Sequence, residues 1–521
     1  MKVLLVNPPF TRIRGAGQSA FFPLGLGYLA GTLANEGMEP VIYSAENCRP
    51  GEPMPRISMR EVFDLRSQGH ANFVAALKND DHYVWQEVRE VLRTTAPDVV
   101  GITALSVQFG SAAKIAELVK RWRPDCPVVF GGHHCTYMPE DSLRRAPHID
   151  VGVIGEGEET FLELCRAYAK VSSSGGRVAY ESIPGLAYRA GDTVQFTERR
   201  ALLQDLDALP FPRRDAVIFP EGFIPWHFST LIYGRGCPWA CRFCSSQVFW
   251  QRRTRYRSPE NCLEEIRGLM STFGLNNFMF WDDAISVRRK NIVDFCDKAM
   301  ASDLNFSFAT ATRANLVDDE LMLKLKQAGC VELFLGVESG SPRVLKQIAK
   351  DLDLDVLRRA VALIRKYNLS LGTFFMAGFP HERLEDLQMT FDLMKELSHA
   401  RVSFNIFDPM PGSSLYDECT ELGLVAKDAD WADFPLWPDA YYVTEMTHEE
   451  FDIMAHRMAK YIFRRNDSLP ARIRRYLPLL MKNPAAFFAK GVEVLGRMVG
   501  RQKACPHCPP PKATPPSSPH S

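Results

Sequence analysis

Three cysteines, Cys237, Cys241 and Cys244, follow one another in a C-x3-C-x2-C spacing near the middle of the chain. A short apolar run at 230–233 comes directly before them and has the pattern of a buried strand. Glycines and a proline then force the chain into a loop. A compact loop with three thiolates suits an iron–sulfur cluster or zinc, because soft sulfur ligands select these metals.

The number of cysteines favours the iron–sulfur interpretation. A closed structural zinc site takes four ligands, and no fourth Cys or His follows at finger spacing; the next cysteine, Cys262, lies in a helical pattern. A four-iron cluster held by three cysteines leaves one iron open to a small molecule. The loop, with Phe243 directly before its third cysteine, resembles the signature of the radical S-adenosylmethionine (SAM) enzymes. The resemblance implies that Cys237, Cys241 and Cys244 hold a 4Fe–4S cluster whose open iron binds SAM.

The N-terminal third alternates strand-like and helical patterns. Strand-like runs occupy 3–6, 40–43, 99–103, 128–130 and 151–154, with helical patterns between them. This alternation predicts an α/β fold with a doubly wound, Rossmann-like parallel sheet. Ligands of such sheets bind beyond the carboxyl ends of the strands, so we expect a site in the loops that follow the last three runs.

Taken in order, the motifs of this region resemble the cobalamin-binding domain that precedes the radical domain in one branch of the family. The matching segments are 7–9, 23–30, 97–103, 131–132 and 155–160. The resemblance implies that these loops line the nucleotide tail of cobalamin through Thr103, Ser106, Gly131, Gly132, Gly155, Glu156 and Gly157. A sheet kept only as a scaffold is the alternative.

The sequence assigns no protein ligand to the lower face of the cobalt. Many cobalamin proteins supply a histidine from an Asp-x-His-x-x-Gly loop, which this chain lacks, although the radical branch often lacks it too. His133 and His134 are candidates by position. A histidine in a polar loop is more often a hydrogen-bonding residue, and we interpret both histidines in that way.

Six further strand-like runs alternate with helical patterns between residues 230 and 406. They predict a partial (β/α)6 TIM-like barrel with functional residues at the carboxyl ends of its strands. By resemblance, Asp282 and Asp283 bind the SAM amino group through charge-assisted hydrogen bonds, Arg313 meets a carboxylate, and Glu338 and Ser339 lie at the ribose. Solvated turn aspartates, and an Arg313 paired with an acid of the barrel wall, are the alternatives.

These patterns divide the chain into five segments. They are a cobalamin-binding Rossmann-like domain at 1–170, a connecting hairpin and linker at 171–227, a radical SAM partial barrel at 228–423, a helical C-terminal extension at 424–500 and a disordered proline-rich tail at 501–521. Cys505 and Cys508 in the tail are only half of a metal site, so we interpret the tail as disordered.

The charge pattern and the cysteine content indicate which partners the protein binds and where in the cell it lies. Residues 464–503 are basic with interleaved apolar residues, which is typical of a helix on an anionic membrane surface; a helix packed on the barrel is the alternative. Over the whole chain 62 basic residues balance 62 acidic ones, so no overall charge indicates nucleic acid. The 13 irregularly spaced cysteines and a strand-like N-terminus without a secretory pattern predict a cytoplasmic protein, with peripheral membrane contact through 464–503.

The two resemblances cover residues 1–420 and imply a cobalamin-dependent radical SAM enzyme. In that family a 5′-deoxyadenosyl radical takes hydrogen from an unreactive carbon, which then collects a methyl group from methylcobalamin. We predict a C-methyltransferase for a lipid or natural-product intermediate, with flavodoxin or ferredoxin as electron donor. A radical SAM cyclase, oxidase or carbon–carbon coupling enzyme is the alternative. A cobalamin carrier or redox sensor without activity is a third hypothesis, against which the complete cysteine triad and Glu338 argue.

Overall fold

The structure is a computed structural model, and it describes residues 1–15, 21–49, 62–397, 399–432, 434–436 and 439–466. Two sheets organise these residues, one in each half of the chain. Almost all of the basic stretch predicted at 464–503 lies outside the described residues, as does the tail at 501–521 with Cys505 and Cys508.

The N-terminal sheet contains seven strands: β1 (Lys2–Asn7), β2 (Glu39–Ser44), β3 (Val99–Thr103), β4 (Val128–Gly131), β5 (Val151–Val153), β6 (Leu186–Ala190) and β7 (Thr193–Phe196). They lie in the order β2-β1-β3-β4-β5-β6-β7, and β1 to β5 run parallel. Residues 3–6 of β1 are buried, as expected of a parallel strand covered by helices on both faces. The predicted doubly wound sheet is therefore confirmed.

Eight helices accompany this sheet in the described residues: α1 (Thr11–Arg14), α2 (Leu24–Asn35), α3 (Val62–Lys78), α4 (Tyr83–Thr95), α5 (Phe109–Trp122), α6 (His133–Tyr137), α7 (Pro139–Arg145) and α8 (Glu158–Ser174). Two of them, α6 and α8, begin directly after the glycine loops that follow β4 and β5. They therefore start at the edge of the sheet where a ligand of such a fold binds.

The hairpin β6–β7 extends the N-terminal sheet. β6 pairs antiparallel with β5, so that Val151 lies opposite Tyr188, and β7 pairs antiparallel with β6. The sequence analysis places this hairpin in the connection at 171–227. Its pairing with β5 covers a strand edge that would otherwise expose unpaired backbone groups.

The linker between the sheets is held by a buried arginine, Arg214. Its guanidinium lies 2.8 Å from the Glu265 carboxylate and donates to the carbonyl oxygens of Phe228 (3.1 Å) and Thr230 (2.6 Å). The linker is thereby fixed to the start of the second sheet.

The second half contains eight strands: β8 (Thr230–Leu231), β9 (Gly234–Arg235), β10 (Arg255–Tyr256), β11 (Asn277–Phe280), β12 (Ser307–Thr312), β13 (Cys330–Glu338), β14 (Ser370–Ala377) and β15 (Arg401–Ile406). Six of them form a parallel sheet in the order β15-β14-β13-β12-β11-β8, and β9 and β10 form a separate antiparallel ribbon. The predicted six-stranded partial barrel is confirmed.

Nine helices belong to the second half in the described residues: α9 (Ser246–Phe249), α10 (Pro259–Phe273), α11 (Arg289–Ala301), α12 (Asp319–Gln327), α13 (Pro342–Gln347), α14 (Leu354–Lys366), α15 (Leu384–Glu396), α16 (Ser414–Glu421) and α17 (His448–Asn466). The last of them packs an apolar face, including Phe451 and Met458, into the main core. Among the residues that the structure describes, no helix is both long enough and apolar enough to cross a bilayer.

The first barrel strand is shorter than the predicted run at 230–233. Strand β8 ends at Leu231, because the backbone N–H groups of Tyr233 and Gly234 donate to the Asp282 carboxylate instead of a neighbouring strand. The chain then enters β9, which pairs with β10 on the far side of the cysteine loop, so that the ribbon closes the base of this loop. A buried side chain from the loop after β11 thus ends β8, which a local pattern does not reveal.

The loop after β14 contains a fully buried carboxyl group, Glu382, that predicts a pH-dependent stability. Its Oε2 accepts from the N–H groups of Gly378 (2.6 Å) and Phe379 (3.3 Å), while its Oε1 has no hydrogen-bond partner. Burial raises the pKa of Glu382 to about 8. The folded protein therefore holds this proton up to a higher pH than the unfolded chain does.

We expect the stability that Glu382 contributes to be greatest below the pKa of an unfolded glutamate and to fall as the pH rises toward 8. The fall should be at most roughly 1.4 kcal/mol per pH unit. Glu382→Gln keeps the shape but does not titrate, so it should become more stable relative to wild type as the pH rises from 5 to 8, on the order of a few kcal/mol. Urea unfolding of both proteins at several pH values measures this difference, and a difference independent of pH would contradict it.

Candidate active site at the domain interface

The cysteine loop begins directly after β9 and crosses close to another part of the chain. Gly236 has a φ of 102°, and a Cβ there would lie 2.0 Å from the carbonyl oxygen of Arg253. Only glycine fits this crossing. The glycine of the motif thus lets the loop fold back so that Cys237, Cys241 and Cys244 come together.

The three thiols share one electrostatic environment. Burial raises the pKa of Cys237 and raises the pKa of Cys244 to about 12, and the neighbouring cysteines add to both shifts. Within the described residues, no group of three His, Cys, Asp or Glu side chains is arranged to hold a single metal ion. Cys237 and Cys244 both lie within electrostatic reach of Cys241, as the ligands of one cluster would.

A buried ion network joins the start of this loop to the N-terminal domain. Arg235 lies 2.7 Å from both Glu156 and Glu158, and Arg255, opposite Arg235 in the ribbon, lies 2.6 Å from Glu156. All four side chains are almost fully buried. Burial alone would raise the pKa of Glu156, but the two arginines outweigh it and lower that pKa. Glu156 therefore faces the barrel, where its charge compensates two arginines.

A second contact joins the end of the loop to the same domain. The Tyr137 hydroxyl donates to the carbonyl oxygen of Ser245, next to Cys244, at 3.1 Å. The His133 ring stacks on Phe249 with 4.8 Å between ring centroids. Helix α6, which follows the glycine loop after β4, thus packs on α9, which follows the cysteine loop. The predicted cobalamin edge and the predicted cluster loop are therefore neighbours.

The carboxyl ends of β3, β4 and β5 form the edge predicted to hold the cobalamin tail. Gly132 has a φ of 90°, and a Cβ there would lie 2.5 Å from Thr103 Oγ1, so Thr103, Gly131 and Gly132 are packed closely. At Gly155 a Cβ would point into open space. This edge can therefore admit a ligand beside the backbone, as the nucleotide tail requires. Gly157, at the start of α8, packs toward α2, where a Cβ would lie 3.5 Å from Leu29.

The two histidines of this edge have different surroundings. His134 is fully buried; its Nδ1 is hydrogen-bonded to the Ser106 hydroxyl at 3.0 Å, and burial lowers its pKa to about 3. Ser106 is thus turned toward His134. His133 stacks on Phe249 at the interface, and burial lowers its pKa as well. Both rings are neutral, and the hydrogen bond of His134 agrees with the interpretation from sequence.

The two aspartates after β11 have different surroundings. Asp282 is buried and accepts hydrogen bonds from the N–H groups of Tyr233 (3.1 Å) and Gly234 (2.5 Å); burial raises its pKa to about 7. Asp283 remains accessible to solvent, and its Oδ2 accepts from the Ser246 hydroxyl at 3.3 Å. The negative charge of Asp283 also raises the pKa of Cys237 and Cys244. Asp283 is therefore the carboxylate of the pair that a bound ammonium group could reach.

Arg313 contacts the cysteine loop itself. One guanidinium nitrogen lies 3.7 Å from the Cys241 sulfur, and the other donates to the carbonyl oxygens of Lys350 and, at 3.0 Å, Asp351. The guanidinium also lies over the Trp239 ring, 4.4 Å from its centroid. The positive charge of Arg313 is thus fixed beside one of the three predicted cluster ligands.

Glu338 and Ser339 end β13 in strained and buried surroundings. Glu338 has a φ of 67°, which costs about 1–3 kcal/mol for a residue other than glycine, and it forms a buried ion pair with Lys350 at 2.7 Å. Ser339 is fully buried and hydrogen-bonded to the Thr390 hydroxyl at 3.0 Å. Glu338 is therefore paired with a cation of its own chain, and Ser339 lies in the protein interior.

Sequence reasoning misses four candidate residues, each of which contacts a site residue or its loop from another part of the chain. Tyr137, Arg235, Arg255 and Lys350 belong to no motif in the sequence analysis. Only Arg235 carries a local signal, because it stands two positions before Cys237. Tyr137 and Arg255 become visible only when the two sheets are placed side by side, and Lys350 only when the turn after α13 is folded against β13.

Comparison with known families gives one match in each half of the chain. The pattern described as Radical SAM superfamily matches residues 231–394, and that described as B12 binding domain matches residues 14–165. Both matches contain the site residues that the sequence analysis assigns to the respective half.

Three relatives illustrate the similarity. An uncharacterized methyltransferase of Pyrococcus horikoshii is 30% identical over 421 residues, which cover 80% of this chain and 83% of the relative. An anaerobic magnesium-protoporphyrin IX monomethyl ester cyclase of Rubrivivax gelatinosus is 29% identical over 362 residues, covering 68% of this chain and 64% of the relative. The solved structure of the radical SAM methyltransferase TsrM of Kitasatospora setae, with cobalamin and a 4Fe–4S cluster bound, shares the fold with a TM-score of 0.63 at 16% identity, covering 87% of this chain and 90% of that one.

Breaking the buried ion network should destabilise the protein strongly. Arg235→Met leaves Glu158 without its cation and Glu156 with only one, so we expect a loss of about 3 kcal/mol or more in the free energy of unfolding. Arg267→Met serves as the control, since it breaks an exposed pair with Asp303 (2.9 Å) and should cost less than about 1 kcal/mol. Urea unfolding measures both variants. Equal, small effects would show that the network does not hold the domains.

Removing the cation beside Cys241 should change the redox properties of the cluster. Reduction adds negative charge, which Arg313 stabilises, so Arg313→Gln should lower the midpoint potential by on the order of 50 mV. A redox titration of the reconstituted cluster without SAM, followed by electron paramagnetic resonance, measures it. Arg289→Gln removes the same charge from an exposed pair with Asp318 and should leave the potential unchanged. An unchanged potential in Arg313→Gln would rule out the electrostatic role.

Proposed function

This chain belongs to the cobalamin-dependent branch of the radical SAM superfamily, and from that premise we propose that it is a methyltransferase acting on an unactivated carbon of a small organic molecule. As a member of this branch it uses a 4Fe–4S cluster, SAM and cobalamin, acts on a small molecule and needs a reductant. Its similarity to the methyltransferase of Pyrococcus horikoshii, over most of both chains, supports methyl transfer.

The observation that carries the proposal is the attachment of the cysteine loop to the N-terminal domain at both of its ends. Arg235 before the loop is bound to Glu156 and Glu158, and Ser245 after it is bound to Tyr137. This attachment brings the edge containing Gly132 and Gly155 next to the loop. Two cofactors held at these places would face one substrate in a shared space, which a transfer between them requires.

Each site residue has its own role in this shared space. Cys237, Cys241 and Cys244 hold the cluster, and Asp283 receives the ammonium group of SAM through a charge-assisted hydrogen bond. Arg313 fixes the loop to the turn at 350–351, and Lys350 forms an ion pair with Glu338. When bound, the cluster with SAM supplies a carbon radical, and cobalamin supplies a transferable methyl group.

The proposal extends to the N-terminal edge and to the partners. Thr103, Gly131, Gly132, Gly155 and Gly157 would lie along the cobalamin tail, within the N-terminal domain. The reductant would be a flavodoxin or ferredoxin. The substrate would be a lipid or natural-product intermediate.

A cyclase is the second candidate, because the cyclase of Rubrivivax gelatinosus is similar to two thirds of this chain. The two reactions differ in their use of SAM. Methyl transfer consumes a second SAM to restore the cobalamin methyl group and so forms S-adenosylhomocysteine along with 5′-deoxyadenosine. Cyclisation forms no S-adenosylhomocysteine.

We expect anaerobically purified protein to contain about four irons and one cobalt per chain and to cleave SAM to 5′-deoxyadenosine after reduction. Replacing Cys237, Cys241 and Cys244 together by alanine should remove the iron and the cleavage while leaving the cobalt content unchanged. Cys262→Ala, a buried cysteine outside the loop, is the control and should keep the iron. Iron and cobalt analysis and chromatography of the nucleosides provide the measurements.

The protein is then incubated with deuterated-methyl SAM and a small-molecule extract of the source cells. If it is a methyltransferase, we expect a product that carries the labelled methyl group. S-adenosylhomocysteine should form in step with 5′-deoxyadenosine. A product without label and without S-adenosylhomocysteine would favour the cyclase instead. Iron retained by the triple cysteine variant would contradict the whole assignment.

A further inference from the structure

Two exposed arginines lie against the backbone at the start of the cysteine loop. Arg252 donates to the carbonyl oxygen of Pro238, which directly follows Cys237, at 2.9 Å. Arg253 comes next in the chain, and its carbonyl oxygen is the atom that leaves no space for a side chain at Gly236. Both arginines are exposed. Their positive charges are therefore presented to solvent beside the backbone that carries the first predicted cluster ligand.

A third exposed arginine lies against the end of the loop. Arg199, three positions after β7, donates to the carbonyl oxygen of Val248 at 3.0 Å. Val248 belongs to α9, which begins two positions after Cys244, and it is itself 41% exposed. Exposed arginines therefore flank the loop at both of its ends. We call Arg199, Arg252 and Arg253 the arginine collar.

The turn that presents Arg252 has an unfavourable backbone conformation. Gln251 and Arg252 have φ values of 52° and 56°, so two consecutive residues other than glycine are left-handed. The turn after α10 uses a glycine for the same conformation, Gly274, with a φ of 65°. Strain of this kind is concentrated at functional sites. A side chain is thus kept at Arg252 although glycine would suit the backbone better.

The arginine collar carries positive charge without acidic partners. Other exposed arginines of this chain pair with a carboxylate, such as Arg93 with Glu90. No aspartate or glutamate of the described residues forms an ion pair with any of the three collar arginines. The chain as a whole has as many acidic as basic residues, 62 of each, so this is a local excess. A local excess of one charge favours a partner of the opposite charge.

The cluster itself does not need these charges for compensation. Arg313 already lies 3.7 Å from the Cys241 sulfur in the protein interior, where a charge acts through a low dielectric. The collar arginines are exposed, so water and salt weaken their effect on the buried sulfurs. Charges on the surface act instead on molecules that approach from solvent, because they accelerate the association of an oppositely charged partner.

We propose that the arginine collar is the surface on which an acidic electron-carrier protein docks to reduce the cluster. This inference rests on the proposed function, since it names the place where the required reductant binds. Carboxylates of the carrier would pair with the three guanidinium groups and hold its redox centre against the loop. One electron then passes from the reduced carrier to the cluster, so the carrier is oxidised, the cluster is reduced, and no covalent bond forms or breaks.

Reduction of the full-length reconstituted protein by an acidic flavodoxin tests the proposal in a stopped-flow experiment. The double variant Arg199→Glu with Arg253→Glu should lower the second-order rate constant at least tenfold at low ionic strength. The difference should shrink as salt is added, because salt screens the charges. Arg359→Glu with Arg365→Glu is the matched control. It reverses two exposed arginines of α14 that also form no ion pair within the described residues, and it should keep the wild-type rate.

Reduced methyl viologen, a small cation, separates docking from damage to the loop. It should reduce the cluster at least as fast in the collar variant as in wild type, and the midpoint potential and the cobalt content should be unchanged. Equal slowing with both reductants would show that the loop itself was altered and would overturn the proposal. A flavodoxin rate that is unchanged in the collar variant would overturn it as well. Loss of cobalamin from the variant would assign the arginines to that cofactor instead and would also contradict docking.

Binding of fluorescently labelled flavodoxin separates this inference from the proposed function, because binding requires no SAM cleavage. Flavodoxin should bind the collar variant at least tenfold more weakly than wild type at low salt, and the control variant equally well. Protein that binds flavodoxin in this way but never cleaves SAM would support the docking surface and refute the enzymatic assignment. Protein that cleaves SAM but binds flavodoxin equally in all variants would refute the docking surface and leave the assignment intact.

Discussion

The buried ion network of Arg235, Arg255, Glu156 and Glu158 is the interaction on which the arrangement of the two domains depends. Two cofactor-binding sheets joined by a linker alone would be free to change their relative position, because apolar contacts are not directional. Ion pairs with defined partners fix the register, although burying charges contributes little net stability. The network includes the residue two positions before the first cysteine of the loop, so the same contact orients the domain and places the loop.

A chain of charges continues from this loop into the barrel. Arg313 reaches Cys241 and is anchored on the turn at 350–351, and Lys350 of that turn pairs with Glu338. The backbone N–H of Arg242 in the loop also donates to the carbonyl oxygen of Ile348, at 2.9 Å. The turn after α13 therefore supports the loop from the barrel side, as the ion network supports it from the other domain. The strained φ of Glu338 is maintained by this pairing.

The sequence predicts what depends on local pattern. The cysteine spacing and the alternation of strands and helices are local, and both sheets were predicted from them. The sequence pattern also places Asp282, Arg313 and Glu338 correctly at the ends of strands. It does not reveal how their side chains are oriented, because each hydrogen-bond partner lies elsewhere in the chain. Asp282 accepts from the backbone of Gly234, and Arg313 contacts the sulfur of Cys241. Glu156 is the clearest case, since its glycine-rich surroundings suggest a ligand loop whereas its partners are two arginines of the barrel.

The crossing of two chain segments at Gly236 restricts how such a protein can evolve. Any replacement would put a carbon atom 2.0 Å from a backbone oxygen, which no side-chain adjustment relieves. At Gly25 and Gly268, by contrast, an added Cβ would meet no atom within 4 Å. Position 236 is therefore restricted to glycine by the path of the backbone itself, whatever substrate the protein acts on.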